Sequence, residues 1–102
     1  NIGREAQKSG VDPSESVAVA SRIAALGVPL AGVMAILPIV AEPEEARPYF
    51  HEMLAVSAQV AAEVPTADQV SMGMTDDFEV AVEEGATLIR VGRAIFDVGH
   101  NP

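Results

Sequence analysis

The segment from Gln69 to Phe96 limits the possible fold of this chain more than any other part of its sequence. Val70–Met72 and Leu88–Val91 are short apolar runs, and each is followed directly by a glycine. Between them, a helical pattern opens with two aspartates and stops at Gly85. Strand, helix and strand in this order predict two parallel strands joined by a right-handed crossover. Ligands of such folds bind beyond the carboxyl ends of the strands, so the two glycine turns mark the candidate site.

The rest of the chain continues the alternation of helices and strands. The patterns predict a helix after Asp12 that ends near Leu26, a buried strand over Leu30–Ile36, and a helical region over Pro43–Val64 whose main helix starts near Pro48. The sequence therefore predicts an α/β fold of parallel β/α units, with three complete short strands and a further helix starting at Arg93.

The composition fits a small packed domain and excludes several classes of function. Of the 102 residues, 49% are hydrophobic, which supports a core and argues against disorder. The formal net charge of -9 argues against nucleic acids and anionic membrane surfaces as partners. The absence of cysteine excludes a disulfide scaffold, a thiolate metal site and a cysteine nucleophile.

We expect neither a membrane span nor a metal site in this sequence. The longest uncharged run, Val28 to Ala41, is broken by prolines and is shorter than the roughly 20 residues of a spanning helix. His51 and His100 lie far apart, with no acids at ligand spacing. We expect a cytoplasmic protein, and because residue 1 is an asparagine we also expect a processed chain or a part of a longer one.

The residues around the two glycine turns favour an anionic ligand. Glycines allow close approach to backbone amides, and the helices that follow them offer unpaired N–H groups, a combination that suits phosphate above all. Ser71 and Thr75 add hydroxyl groups, and Arg90 and Arg93 add guanidinium groups. The alternative is that these are ordinary helix-start residues and that Arg90 pairs with an acid. The neighbouring Asp76 and Asp77 repel an anion, which moves the expected phosphate toward Gly92 and Arg93.

The stretch SMGMTDDFEVAVEEGATLIRVGRAIF resembles the signature of the pyridoxal phosphate homeostasis proteins (YggS/PROSC type). The matching positions are Ser71, Gly73, Met74, Asp77, Ala81, Gly85, Ala86, Thr87, Arg90, Gly92, Ile95 and Phe96. Upstream, the segments Lys8–Val11 and Gly32–Ile36 also resemble that family. The resemblance thus extends over nearly the whole chain and is strongest in its last third.

The resemblance implies that residues 1–102 are a single partial domain, the C-terminal half of a (β/α)₈ barrel like the N-terminal domain of alanine racemase. It implies a non-catalytic protein that holds pyridoxal phosphate, with the imine-forming lysine in the other half of the barrel. Lys8 matches a different loop of the family. This chain would supply the cofactor-binding, mainly phosphate-binding, residues Ser71, Gly73, Met74, Thr75, Arg90, Gly92 and Arg93.

Three positions depart from the family pattern. Thr75 replaces a serine and keeps the hydroxyl, Arg93 replaces a threonine with a large cation, and Asp97 stands where a glycine is usual. Two other functions remain open at this point. The chain could belong to an alanine racemase-like enzyme, or it could be a half-barrel with a structural role that associates with itself or with the other half of the barrel.

Overall fold

Three short strands lie side by side in one parallel sheet, in the order β1–β2–β3. The computed structural model describes residues 1–96, so Asp97 and His100 lie outside the described residues. The strands are β1 (Gly32–Met34), β2 (Gln69–Met74) and β3 (Leu88–Arg90). The α-helices are α1 (Ser16–Ala25), α2 (Arg47–Glu63), α3 (Phe78–Glu83) and α4 (Gly92–Phe96), with 3₁₀ turns at Pro13–Glu15 and Pro43–Ala46.

The first two helices begin where the sequence predicts, each through a 3₁₀ turn. At α1, the Asp12 carboxylate accepts a hydrogen bond from the Ser14 N–H at 3.0 Å. Before α2, Glu42 and Glu45 form a reciprocal capping box in which the Glu42 N–H donates to the Glu45 carboxylate at 2.9 Å. These bonds satisfy N–H groups that have no partner inside the helix, so the polar side chains fix both helix starts.

The core lies between the sheet and the helices α2 and α3. Phe50 of α2 and Met72 of β2 are fully buried there together with Ala81 of α3. A second cluster joins α1 to α2 around Ala20 and Val60. Since successive side chains of a strand point to opposite faces, burying Val70 and Met72 leaves Gln69 and Ser71 on the other face of the sheet.

The predicted parallel α/β order is confirmed, but the bounds of all three strands differ from those predicted, and β3 ends at Arg90. β1 is shorter than the predicted Leu30–Ile36, and β2 continues through Gly73 to Met74. Gly73 therefore lies within β2 and not in a turn. It has a φ of 101°, and the pairing of β2 with β3 becomes irregular at this point.

Packing against α3 requires a glycine at position 73. A Cβ added there would lie 2.6 Å from the Cβ of Ala81, which is fully buried. The turn itself comes later, at Thr75–Asp77. The half-barrel stays a prediction, because three strands do not close a barrel. None of the helices in residues 1–96 is long and apolar enough to cross a membrane.

Candidate functional site

An open groove of about 860 Å³ lies at the carboxyl edge of the sheet, where all three strands end. We call it the carboxyl-edge groove. Its walls come from residues 35–41 and 43, from residues 73–77, and from residues 90, 92 and 93. Six of the seven predicted cofactor-binding residues line it, namely Gly73, Met74, Thr75, Arg90, Gly92 and Arg93. Its volume falls within the range of roughly 300–1,000 Å³ that is common for small-molecule sites.

Ser71 is the predicted residue that does not line the groove. It lies in the middle of β2, where its carbonyl oxygen accepts a hydrogen bond from the Ala35 N–H at 3.1 Å. Its Cα is paired with Met34 on one side and with Leu88 on the other. Ser71 therefore contributes to the sheet below the groove.

The segment from Ala35 to Pro43 forms one wall of the groove, which we call the β1 wall and which was not predicted from the sequence. This segment is largely apolar, and Ile39 is fully exposed, at 101%. The signal that could have found it is positional. The segment directly follows β1, and parallel strands end at the same edge of a sheet.

Arg90 links strand β3 to the β1 wall. Its guanidinium Nη2 donates a hydrogen bond of 2.8 Å to the Ala35 carbonyl, across the intervening strand β2. Its Nε is buried and has no hydrogen-bond partner within residues 1–96. A buried donor without a partner costs free energy, roughly 1–3 kcal/mol. A groove ligand with an acceptor atom at this point would remove that cost.

The other end of the groove is held by contacts between the β2–α3 turn and helix α4. The Thr75 hydroxyl accepts a hydrogen bond from the Ala94 N–H at 3.2 Å. Beside it, the Arg93 guanidinium forms an ion pair with the Asp76 carboxylate. The Asp77 carboxylate accepts a hydrogen bond from the Met74 N–H at 2.8 Å, which shapes the turn. Three of the groups that could bind an anion therefore meet here: a hydroxyl, a backbone amide and a guanidinium.

Gly92 differs from Gly73 in what surrounds it. A Cβ added to Gly92 would meet no atom within 4 Å, so no packing contact requires the glycine there. It lines the groove at the first residue of α4. The space above its backbone is open to a ligand.

Lys8 and His51 have structural partners away from the groove interior. The Lys8 ammonium donates to the carbonyls of Ile36 and Leu37 at 3.3 and 3.0 Å, and pairs with Glu5 at 2.7 Å. Lys8 thus holds the β1 wall in place through the backbone carbonyls of Ile36 and Leu37. His51 contacts Glu84 at 3.2 Å. Within residues 1–96, no group of histidine and acidic side chains is arranged to hold a metal ion.

Arg47 joins the start of α2 to the end of α3. Its guanidinium contacts Glu83 at 2.6 Å and Glu84 at 2.9 Å, as well as Glu44 at 2.8 Å on its own side. The hydrogen bond from Arg47, followed by the contact with His51, holds the pKa of Glu84 below its ordinary value. This network lies on the helical layer and ties α3 to the start of α2.

Comparison with known proteins gives one consistent family. The model of the family described as "Alanine racemase, N-terminal domain" matches residues 1–100. Pyridoxal phosphate homeostasis proteins of Aquifex aeolicus and Haemophilus influenzae are 39% and 40% identical over 94% of this chain. The chain spans less than half of these relatives, 43% and 42% of their lengths.

Solved structures agree with the sequence relatives. An unknown protein from Bifidobacterium adolescentis matches with a TM-score of 0.85 and 35% identity, over 94% of this chain and 40% of that one. PipY of Synechococcus elongatus, solved with pyridoxal phosphate bound, matches with a TM-score of 0.74 and 32% identity, over 88% of this chain and 44% of its own. The chain therefore belongs to the alanine racemase N-terminal domain family, in its group of pyridoxal phosphate homeostasis proteins.

Proposed function

We propose that this chain supplies the phosphate-binding side of a pyridoxal phosphate site in a protein of cofactor homeostasis. The observation that carries the proposal is the position of the predicted residues. Six of the seven line one groove at the carboxyl edge of a parallel sheet, which is where such folds bind ligands. The relatives named for pyridoxal phosphate homeostasis and the ligand-bound PipY support this choice of ligand.

The chemistry of the groove fits a phosphorylated pyridine. Arg90 and Arg93 place two guanidinium groups along it, and guanidinium groups bind phosphate oxygens well. The orphaned Nε of Arg90 offers a buried donor. The apolar wall over Ala35–Ala41 provides a surface for a flat ring. In this proposal the lysine that binds the aldehyde lies outside the 102 residues, since Lys8 already holds two backbone carbonyls.

The proposal can be tested on the 102-residue chain with pyridoxine phosphate. This compound keeps the ring and the phosphate but has a hydroxymethyl group in place of the aldehyde, so it cannot form an imine with Lys8. In an amide chemical-shift titration, we expect the largest changes at Thr75, Gly92 and Ala94, and weaker binding of unphosphorylated pyridoxine. Equal binding of both compounds, or shifts confined to other regions, would refute a phosphate site in this groove.

A matched pair of variants tests the role of Arg90. Arg90→Gln removes the guanidinium from the groove, whereas Arg22→Gln removes the same charge from an exposed position on α1. We expect only the first to weaken the binding of pyridoxine phosphate. If both variants lost affinity equally, the effect would reflect the net charge of the chain and not a contact in the groove.

We also propose that residues 1–102 form one partial domain, half of a (β/α)₈ barrel. Both outer strands carry exposed apolar side chains, with Met34 of β1 at 59% and Leu88 of β3 at 53%. A further cavity of about 280 Å³ runs beside β1, next to Val33 and Met34. Strands with unpaired edges tend to associate. We therefore expect the chain to self-associate in light scattering, and a monodisperse monomer at all concentrations would contradict this expectation.

We propose a carrier of the cofactor and not a racemase. A racemase needs an acid–base group that faces the reacting carbon. Within the described residues, the groove is lined by no lysine, histidine or tyrosine. Its two acids have partners in the chain, since Asp76 pairs with Arg93 and Asp77 accepts a hydrogen bond from the Met74 N–H. Racemisation assays on several amino acids with the cofactor-loaded protein test this choice. Turnover of any of them would favour the enzyme.

A further inference from the structure

We propose that Asp76 is a built-in competitor for the phosphate, so that a bound phosphate group must displace its carboxylate from Arg93. This inference rests on the proposed function and adds to it a residue that sets affinity and release. The supporting observation is that Asp76 and Arg93 both line the groove and form an ion pair across its end. The cation best placed for an anionic ligand is thus already bound to an anion of the same chain.

The position of the pair makes displacement feasible. Both side chains are substantially exposed, at 53% for Arg93 and 80% for Asp76, so the pair is in contact with solvent. Exposed ion pairs are weak, and a phosphate carries a larger charge and more acceptor oxygens than a carboxylate. Asp76 can therefore rotate away into water while its partner turns to the ligand.

The neighbouring contact keeps the geometry in place during such an exchange. The Thr75 hydroxyl and the Ala94 N–H remain joined across the same gap, so the turn and the start of α4 stay together without the ion pair. Asp77 is not available for the competing role, because its carboxylate is already bonded to the Met74 N–H. Asp76 is thus the acid whose removal abolishes the ion pair with Arg93 while the hydrogen bonds of the turn stay in place.

The size of the effect follows from the competition. For an exposed ion pair, the ratio of closed to open pairs is about one to five. Only the open state binds phosphate, so the apparent dissociation constant is multiplied by one plus this ratio. We therefore expect Asp76→Asn to bind pyridoxine phosphate about two- to sixfold more tightly than the wild-type chain. Unphosphorylated pyridoxine should show no such gain, because it does not compete for Arg93.

Asp68→Asn is the matched control. It makes the same chemical change at an exposed residue that precedes β2, at the opposite end of that strand, where the Asp68 carboxylate contacts only the Gln69 side-chain amide among the described hydrogen bonds. It lowers the net negative charge equally, but we expect it to leave the affinity nearly unchanged. A gain of equal size in both variants would show a general charge effect and overturn the proposal.

A double-mutant cycle separates competition for Arg93 from simple repulsion. In an Arg93→Thr background Asp76 has no guanidinium to occupy, so the gain from Asp76→Asn should largely disappear. If the gain persists at full size, Asp76 acts by repulsion alone and the proposal is wrong. It is also wrong if Asp76→Asn binds phosphate no better than the wild-type chain.

Inorganic phosphate as a second probe distinguishes this inference from the proposed function. If Asp76→Asn strengthens the binding of both probes but pyridoxine phosphate binds no better than inorganic phosphate, the competitor role stands and the cofactor assignment fails. If both chains prefer pyridoxine phosphate and the substitution changes nothing, the cofactor assignment stands and the competitor role fails. Failure of Asp76→Asn to bind either probe overturns the competitor role.

Discussion

Replacing Gly73 with alanine tests whether packing against α3 requires a glycine at this position. Two costs arise. An alanine at a φ of 101° is strained, and its Cβ would lie 2.6 Å from the Cβ of Ala81. Ala81 is fully buried and cannot rotate away, so the helix or the strand must move.

The expected loss can be estimated from these two costs. Left-handed backbone costs about 1–2 kcal/mol for a residue with a Cβ, and overpacking of a core about 1–3 kcal/mol. Reduced freedom of the unfolded chain returns about 0.4–1 kcal/mol. Gly73→Ala should therefore lower the free energy of unfolding by about 1–4.5 kcal/mol, a large part of the 5–15 kcal/mol typical of a domain.

Urea denaturation of the variants measures this loss. Gly92→Ala is the control, because its added Cβ meets no atom within 4 Å, and it should stay within about 1 kcal/mol of the wild-type chain. Adding Ala81→Gly to Gly73→Ala should give a double variant that is more stable than the sum of the two single losses, since the overlap is gone. A Gly73→Ala variant as stable as Gly92→Ala, or strict additivity with Ala81→Gly, would refute the packing argument.

Three further predictions follow from other parts of the structure. Phe50→Ala empties the centre of the core, where Phe50 is 0% exposed, and should lower the free energy of unfolding by about 3–5 kcal/mol in urea titrations; a loss below 1 kcal/mol would contradict its central position. Thr75→Val should speed amide hydrogen exchange at Ala94 whereas Thr75→Ser should not, because only the hydroxyl accepts the Ala94 N–H; equal exchange in both variants would exclude this bond. Arg47 lowers the pKa of Glu84 from its ordinary 4.5, so the stability that Glu84 contributes is complete above pH 4.5 and is lost as the pH falls through the lowered pKa. Glu84→Gln should therefore be less stable than the wild-type chain at neutral pH and approach it in acid, and a constant difference at all pH values would exclude this linkage.

The sequence predicted six of the residues that line the carboxyl-edge groove because local rules and one long signature act on the same residues. Thr75 and Arg93 lie far apart along the chain, yet Thr75 directly follows β2 and Arg93 comes three residues after the end of β3, and parallel strands bring such positions to one edge. The wall over Ala35–Pro43 also follows a strand, but its apolar side chains carry no chemical signal. The sequence therefore predicted only a loop at this position.

The sequence by itself determined the order of the elements, the helix starts and the family, because capping residues, apolar runs and a spaced signature are properties of neighbouring residues. Tertiary structure alone decided what each glycine and each charge does. Gly73 and Gly92 both follow apolar runs in the sequence, but Gly73 packs against Ala81 whereas Gly92 faces open space. The sequence predicts that Arg93 contacts a phosphate, but the fold places the Asp76 carboxylate against its guanidinium. Such distinctions depend on distances between segments that are remote along the chain, and these distances exist only after the sheet and its helices have assembled.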